Sequence, residues 1–367
     1  MIEPNLIPTL DPNPLPAPYW VFKLLLIATF FLHILAMNFM LGGAVLALGV
    51  RRLSKNREHG NRIFVELSKK LPVLLPATIT LGIAPLLFLQ VLYGQFFYTS
   101  SVIVAWPWFL VLVFLTLAYY GFYYASFKSS QHPDKAGMAI WFSVLLVFII
   151  GLTYSSNLTL SLTPSRWAAK YFKDPSGWNF NWSEPTLIPR FLHFSVAAVA
   201  MGGLLLIFMA WARWKRDSEY ARSLFQLGGK AFMFATMAQF VVGIWFVAAL
   251  PREIGMLFLG GSSVATILLL VGVAGGGMAI FLMSEALRKE NIRLAGCYVP
   301  GIVGVVILSM SLMRDMLRDA YLRVHHHPEQ FVVKTQWAVL PLFLVLFVAG
   351  VILWIVMLKR YGVFEEG

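Results

Sequence analysis

The sequence predicts an all-α polytopic membrane protein with nine transmembrane helices, arranged as two like-oriented four-helix bundles plus one peripheral helix. Three observations predict it. Of the 367 residues, 59% are hydrophobic and 13% charged, about half the charged share of a soluble domain. Apolar runs of about 20 residues or more, the length that crosses a bilayer as a helix, recur along the whole chain. The frame Phe-Leu-His, eight residues, Gly-Gly occurs twice, as Phe31-Leu32-His33 to Gly42-Gly43 and Phe191-Leu192-His193 to Gly202-Gly203, offset by 160 residues.

The apolar runs fall at roughly 19–50, 71–98, 102–127, 137–160, 189–212, 230–250, 262–287, 294–317 and 336–358. Loop charge sets their orientation. The first, third, fifth and seventh loops and the tail hold 19 of the 29 basic residues, from Arg51, Arg52 and Lys55 to Lys359 and Arg360. By the positive-inside rule the N-terminus lies outside and the C-terminus inside, and nine crossings agree with that parity. Met1–Pro18 is polar and Pro-rich, without the basic region of a cleaved signal. The expected location is a bacterial inner membrane, with the N-terminus periplasmic and the C-terminus cytoplasmic. The net charge of +12 follows this loop bias and does not point to nucleic acid.

The repeat fixes the expected organisation. The first and fifth helices both start outside, so 1–160 forms the first four-helix bundle, with His33. Residues 161–188 form a periplasmic loop carrying Trp167, Trp178 and Trp182. Residues 189–335 form the second bundle with His193 and an outer histidine-rich loop, and 336–367 the ninth helix and cytoplasmic tail. Four-helix bundles build cofactor sites from inward-facing side chains, so two bundles offer two sites.

A histidine inside the membrane is costly and marks a functional site. His33 and His193 share one sequence frame and a similar outer depth, which points to two equivalent ligands for haem iron, since imidazole is a common haem ligand. At 100° per residue Gly42 lies about 180° round the helix from His33, so the glycine pairs are read as helix-packing surfaces. Gly275-Gly276-Gly277 in the seventh helix suits either packing or a flat macrocycle. Met278 and Met310 are candidate sixth ligands. Arg314 and Arg318, spaced i,i+4 on one face, are candidates for haem propionates, which the planar guanidinium fork suits. Arg252-Glu253, directly after the sixth helix, offers a carboxylate and a cation for a quinol head group. The triplet His325-His326-His327 could reach a metal or a partner's haem. One cysteine, Cys297, excludes an internal disulfide and a c-type haem attachment motif, so any c-type haem must come from a partner.

Several stretches resemble the large chain (subunit I) of cytochrome bd quinol oxidases. They are Arg190-Phe-Leu-His193 through the fifth helix, the basic turn Arg213-Trp-Lys-Arg216, and the sixth helix ending in Arg252-Glu253. Gly94-Gln95 and Arg318-Asp-Ala-Tyr321 are weaker echoes. The resemblance implies that His33 and His193 are axial ligands of two b-type haems near the outer face, and that quinol is oxidised outside. The departures are as informative. The family's membrane carboxylates on helices 3 and 8 are missing here before Asp315, its helix-7 Met falls on Leu270, and the long outer loop after helix 6 is cut to about a dozen residues.

The expected function is therefore that of a membrane cytochrome b subunit. It would pass electrons between the quinone pool and a periplasmic or membrane-anchored c-type cytochrome, alongside other membrane subunits. A divergent bd-type quinol:oxygen oxidoreductase and a haem-free quinol-binding anchor are the alternatives.

Overall fold

A computed structural model describes residues 7–9 and 13–360. Among the described residues nine helices are long and apolar enough to span a membrane. They are α1 (Tyr19–Leu53), α2 (Arg57–Ile103), α3 (Ala105–Lys128), α4 (Pro133–Ser161), α5 (Leu187–Arg213), α6 (Ser218–Ala248), α7 (Ser263–Arg288), α8 (Val299–Leu322) and α9 (Val339–Arg360). A wide helical turn, Leu294–Tyr298, leads into α8.

Two helix starts differ from the sequence expectation, for one physical reason. Arg57, Arg62, Lys69 and Lys70, expected in the first loop, are not in a loop. They ride on α2, which starts at Arg57 under an Asn56 side chain that accepts from the amides of Glu58 and His59. At 1.5 Å per residue its 47 residues run about 70 Å, well beyond a bilayer. In the overhang Ile63, Phe64, Leu67 and Leu71 are buried, and Glu66 is buried beside them as part of an ion-pair cluster. Glu66 is held by Arg213 at 3.1 Å and Arg62 at 3.4 Å, and Arg62 also pairs with Asp217. Similarly α6 starts at Ser218, twelve residues before the apolar run, with the Asp217 side chain accepting from the Tyr220 amide.

Within the first half α1 to α4 pack together; in the second, α5, α6, α7 and α8 form a chain of neighbours. The halves meet along α1 and α5, at the repeated glycines. A Cβ added at Gly42 would stand 1.8 Å from the Ala198 carbonyl oxygen and 2.6 Å from the Gly202 nitrogen. One at Gly202 would stand 2.5 Å from the Gly42 carbonyl carbon. The two helices touch backbone to backbone at equivalent positions of the repeat, the approach that small residues permit in membranes. Because Gly42 lies about half a turn round from His33, this back-to-back joint turns the two histidines away from each other, each into its own half. Gly275 and Gly276 also serve packing: an added Cβ would meet Val306 at 2.6 Å and Phe240 at 3.2 Å.

The peripheral α9 has largely exposed side chains and leans on α1 and α2 through Leu340 and a Phe343–Phe88 ring contact of 6.5 Å. Its approach is fixed by the segment before α1. The Leu15 amide donates to Val332, and the amides of Lys334 and Gln336 donate to Leu15 and Pro16.

Candidate functional site

His33 sits on α1 against α2. Its Nδ1 lies 3.1 Å from the Thr78 carbonyl, which can only accept, so Nδ1 carries the proton and Nε2 is left as a bare base. That is the arrangement that fixes the tautomer of a metal-binding imidazole. The ring lies over Gly82, where an added Cβ would stand 2.9 Å from Cε1 and 3.0 Å from Nδ1.

His193 sits on α5 against α6 in the same relation. It faces Gly243, with 3.6 Å from an added Cβ to its Cε1, and its ring is stacked at 6.4 Å on Phe246. Its backbone carbonyl accepts from Gln239 Nε2 at 2.7 Å. Its Nδ1 is buried and has no hydrogen-bond partner among the described residues. Each repeat therefore presents a histidine to a glycine on the next helix.

An arginine accompanies each ring. The Arg314 guanidinium lies 4.2 Å over Phe30, one turn before His33. Arg190 is i,i−3 to His193 and lies 5.0 Å over Phe246, the ring on which His193 stacks. Arg190, Arg314 and Arg318 converge on one small cavity of about 20 Å³ between the two halves. Its remaining wall is apolar and aromatic except for Tyr93 and Ser161. Arg190 Nε and one terminal nitrogen are buried without a hydrogen-bond partner among the described residues. The sequence marks Arg314 and Arg318 as candidates and shows Arg190 only as part of the Arg190-Phe-Leu-His193 stretch, without a role of its own; its signal is its place one turn before a repeated histidine.

Beside the cavity lies a polar cluster drawn from three helices and the segment after α8. Lys23 of α1 holds Asp315 at 2.6 Å and Asp319 at 2.8 Å. Asp315 also holds Arg318 at 2.9 Å. Tyr93 of α2 donates to Asp319 at 2.6 Å, accepts from Lys23 at 2.8 Å, and places its ring 4.8 Å under Arg318. Glu184 is taken by Arg166 at 3.0 Å. Four cations thus meet two carboxylates around the cavity, and neither Arg190 nor Arg314 has a carboxylate partner among the described residues. An uncompensated buried charge costs several kcal/mol, so this arrangement is suited to receive an anionic group.

The remaining candidates are dispersed. Arg252 and Glu253 open a short helix between α6 and α7, Arg252–Met256, with both side chains exposed. Met278 is 50% exposed on the outside of α7. Met310 packs against Gly272 and shares an apolar cluster with Phe246. The histidine triplet does not converge. His326 is buried, with its ring 4.6 Å from Tyr93 and Nε2 3.0 Å from the Tyr19 hydroxyl, while His325 is exposed and His327 faces Glu329 at 3.4 Å. Burial holds the His326 pKa down to about 4, and no group of three metal-ligating side chains gathers among the described residues. In the loop between α4 and α5 Trp167 is an anchor, donating to the Leu160 carbonyl at 2.8 Å, whereas Trp178 and Trp182 stay exposed.

No family model and no curated protein matches the sequence. Among solved structures the chain is similar to the bd oxidase from Geobacillus thermodenitrificans, with a TM-score of 0.69 at 12% identity, over 94% of this chain and 98% of that one. The likeness establishes the fold: a multi-pass helical membrane chain of the bd oxidase type.

Proposed function

We propose that this chain is a quinol-oxidising membrane cytochrome b subunit, carrying two b-type haems near the outer face of a bacterial inner membrane. One observation carries the reading: each repeat holds a half-buried histidine with a nitrogen free to bind iron, facing a glycine, with a half-buried arginine nearby that has no carboxylate partner among the described residues.

The residues fit the group. Nε2 of His33 and either nitrogen of His193 would ligate iron, and Arg314, Arg318 and Arg190 would hold propionates. Haem bound there supplies one-electron exchange. The chain's own residues do the rest. Thr78 fixes the His33 tautomer, the apolar wall excludes water, and the arginines offset negative charge at the cavity. Exposed Arg252 and Glu253 would meet the quinol head, the carboxylate taking a proton and the cation steadying the developing anion. An electron partner with a c-type haem would meet the outer face at 161–188, where Trp178 and Trp182 are exposed.

The likeness to bd oxidase favours a second reading, oxygen reduction by this chain. Against it, α3 contains no Asp or Glu, and Asp315 of α8 is engaged by Lys23 and Arg318. A pyridine haemochrome assay on the purified chain tests the proposal. It should give two haems b per chain, and His33→Ala and His193→Ala should each remove one. A haem d band with oxygen uptake would replace it with the oxidase reading, and a chain without haem would leave a quinol-binding anchor.

A further inference from the structure

Where α5 stops and α8 begins, four hydrogen-bond donors from two turns gather at one surface. The Trp211 ring lies flat on Gly296 of the wide turn Leu294–Tyr298: an added Cβ would fall onto its benzo edge, 3.0 Å from Cδ2 and 3.1 Å from Cζ3. Lys215 follows Trp211 by four residues and Arg293 precedes Gly296 by three, so each stands about one helical turn from that contact. Tyr298 closes the wide turn. All four residues are exposed, and none of their side chains has a hydrogen-bond or ion-pair partner among the described residues. The carboxylates of these turns are mostly taken: Glu285 by Arg288 and Lys289, Glu290 by Arg222, Asp217 by Arg62. Only Glu219 is left against Lys215, Arg216 and Arg293, so the surface is net positive. From it one stripe of α8 runs into the membrane span. Tyr298, Gly301, Val305 and Leu308 are exposed along it, and Gly301 has open space where a side chain would stand. At 1.5 Å per residue the stripe is about 15 Å long, half of a bilayer's hydrocarbon core.

We propose that Trp211, Lys215, Arg293 and Tyr298 form a binding site for an anionic phospholipid of the bilayer. Basic residues between transmembrane helices recognise anionic head groups, and here the ammonium and the guanidinium take the phosphate. The indole N–H and the phenol reach its remaining oxygens or those of the glycerol esters, as amphipathic rings do at head-group level. One acyl chain lies along the α8 stripe, over Gly301. The packing of Trp211 on Gly296 fixes the ring in advance, so little side-chain freedom is lost on binding. A dissolved phosphate would use the cations and leave the stripe bare; a lipid uses both. Trp211 stands 18 residues beyond His193 on α5, about 27 Å along the helix, so the site is independent of the haem reading.

The test is native mass spectrometry of the detergent-solubilised full chain, titrated with phosphatidylglycerol or with phosphatidylcholine of the same acyl chains. The wild type should retain a first phosphatidylglycerol at concentrations where phosphatidylcholine is lost. The double variant Lys215→Gln, Arg293→Gln should weaken that first binding by about thirty-fold, about five-fold for each basic residue near a phosphate. The control pair Arg52→Gln, Lys55→Gln removes the same charge from the turn between α1 and α2, where both side chains are also exposed and unpaired among the described residues. It lacks the aromatic shelf and the stripe, and should leave the first binding within about two-fold, less than one basic residue contributes. All the substituted side chains are exposed, and unchanged helicity by circular dichroism checks the fold. Equal losses in the two double variants, or equal retention of the two lipids, overturn the site and leave unselective surface charge. Displacement of the lipid by excess inorganic phosphate overturns the lipid assignment and gives the cations to a dissolved anion.

Discussion

The two halves of the molecule pose the same histidine in different ways. In the first half the His33 ring is fixed through its own nitrogen, by the Thr78 carbonyl at 3.1 Å, and is pressed onto Gly82. In the second the His193 ring has no Nδ1 partner among the described residues and lies farther from Gly243, while Gln239 grips only its backbone. The frame is duplicated, but the surroundings are not. One half commits Nε2 in advance, whereas the other has both nitrogens available and space beside the ring. A duplicated ligand can thus serve two cofactors of unlike affinity and potential without any change in the motif itself.

The largest difference should appear on adding one methyl group to each glycine. At Gly82 a Cβ would press on His33 Cε1 and Nδ1 at 2.9 and 3.0 Å; at Gly243 the nearest ring atom is 3.6 Å away, an ordinary contact. Gly82→Ala should displace the His33 ring, break its bond to Thr78 and cost about 1–3 kcal/mol of overpacking, with loss of about one haem per chain. Gly243→Ala should keep both haems. Haemochrome content of the two variants, side by side, checks this. Equal retention would mean that the tighter seat of His33 has no consequence.

A smaller effect belongs to the arginines. Arg314 lies by Phe30 on the His33 side, and Arg190 shares Phe246 with His193. Removing one positive charge at about 8 Å in a medium of effective dielectric about 20 removes roughly 2 kcal/mol of stabilisation of the reduced state, or about 90 mV. Arg314→Gln should lower the midpoint potential of the haem lost in His33→Ala, and Arg190→Gln that of the haem lost in His193→Ala. Spectroelectrochemical titration separates them. If each variant shifts both haems equally, the arginines serve the cavity jointly and the pairing drawn here is wrong.

Much of this arrangement is legible in the chain before folding. The nine spans follow from apolar length, and the Gly42–Gly202 joint follows from helix phase, because a glycine half a turn from a ligand must serve another face. The arrangement also hides where it depends on long-range pairing. Nothing local ties Lys23 to Asp315 and Asp319, almost 300 residues away. His326 looks like part of an exposed triplet, and only the packing of Tyr19, Tyr93 and Phe96 around it reveals a buried ring. The start of α2 is hidden because apolar length marks the bilayer crossing, whereas the Asn56 cap and the Ile63, Phe64, Leu67 stripe mark the helix. Gly82 and Gly243 were readable in principle: they follow the repeated histidines by 49 and 50 residues, so the duplication extends into the next helix.

The smallest expected effect isolates how His193 is held. Gln239 Nε2 donates to the His193 carbonyl at 2.7 Å, whereas its Oε1 is buried with no partner among the described residues. Gln239→Leu removes the bond but also removes the orphaned acceptor. The bond itself, like other interhelical hydrogen bonds in membranes, is worth about 0.6 kcal/mol. The two effects oppose, so Tm should move by no more than about 2 °C, with both haems retained, because Gln239 touches the backbone and not the ring. A loss of the second haem in Gln239→Leu would mean that the ring orientation of His193 is set through its backbone. The two halves would then fix their ligands equally firmly, by different bonds.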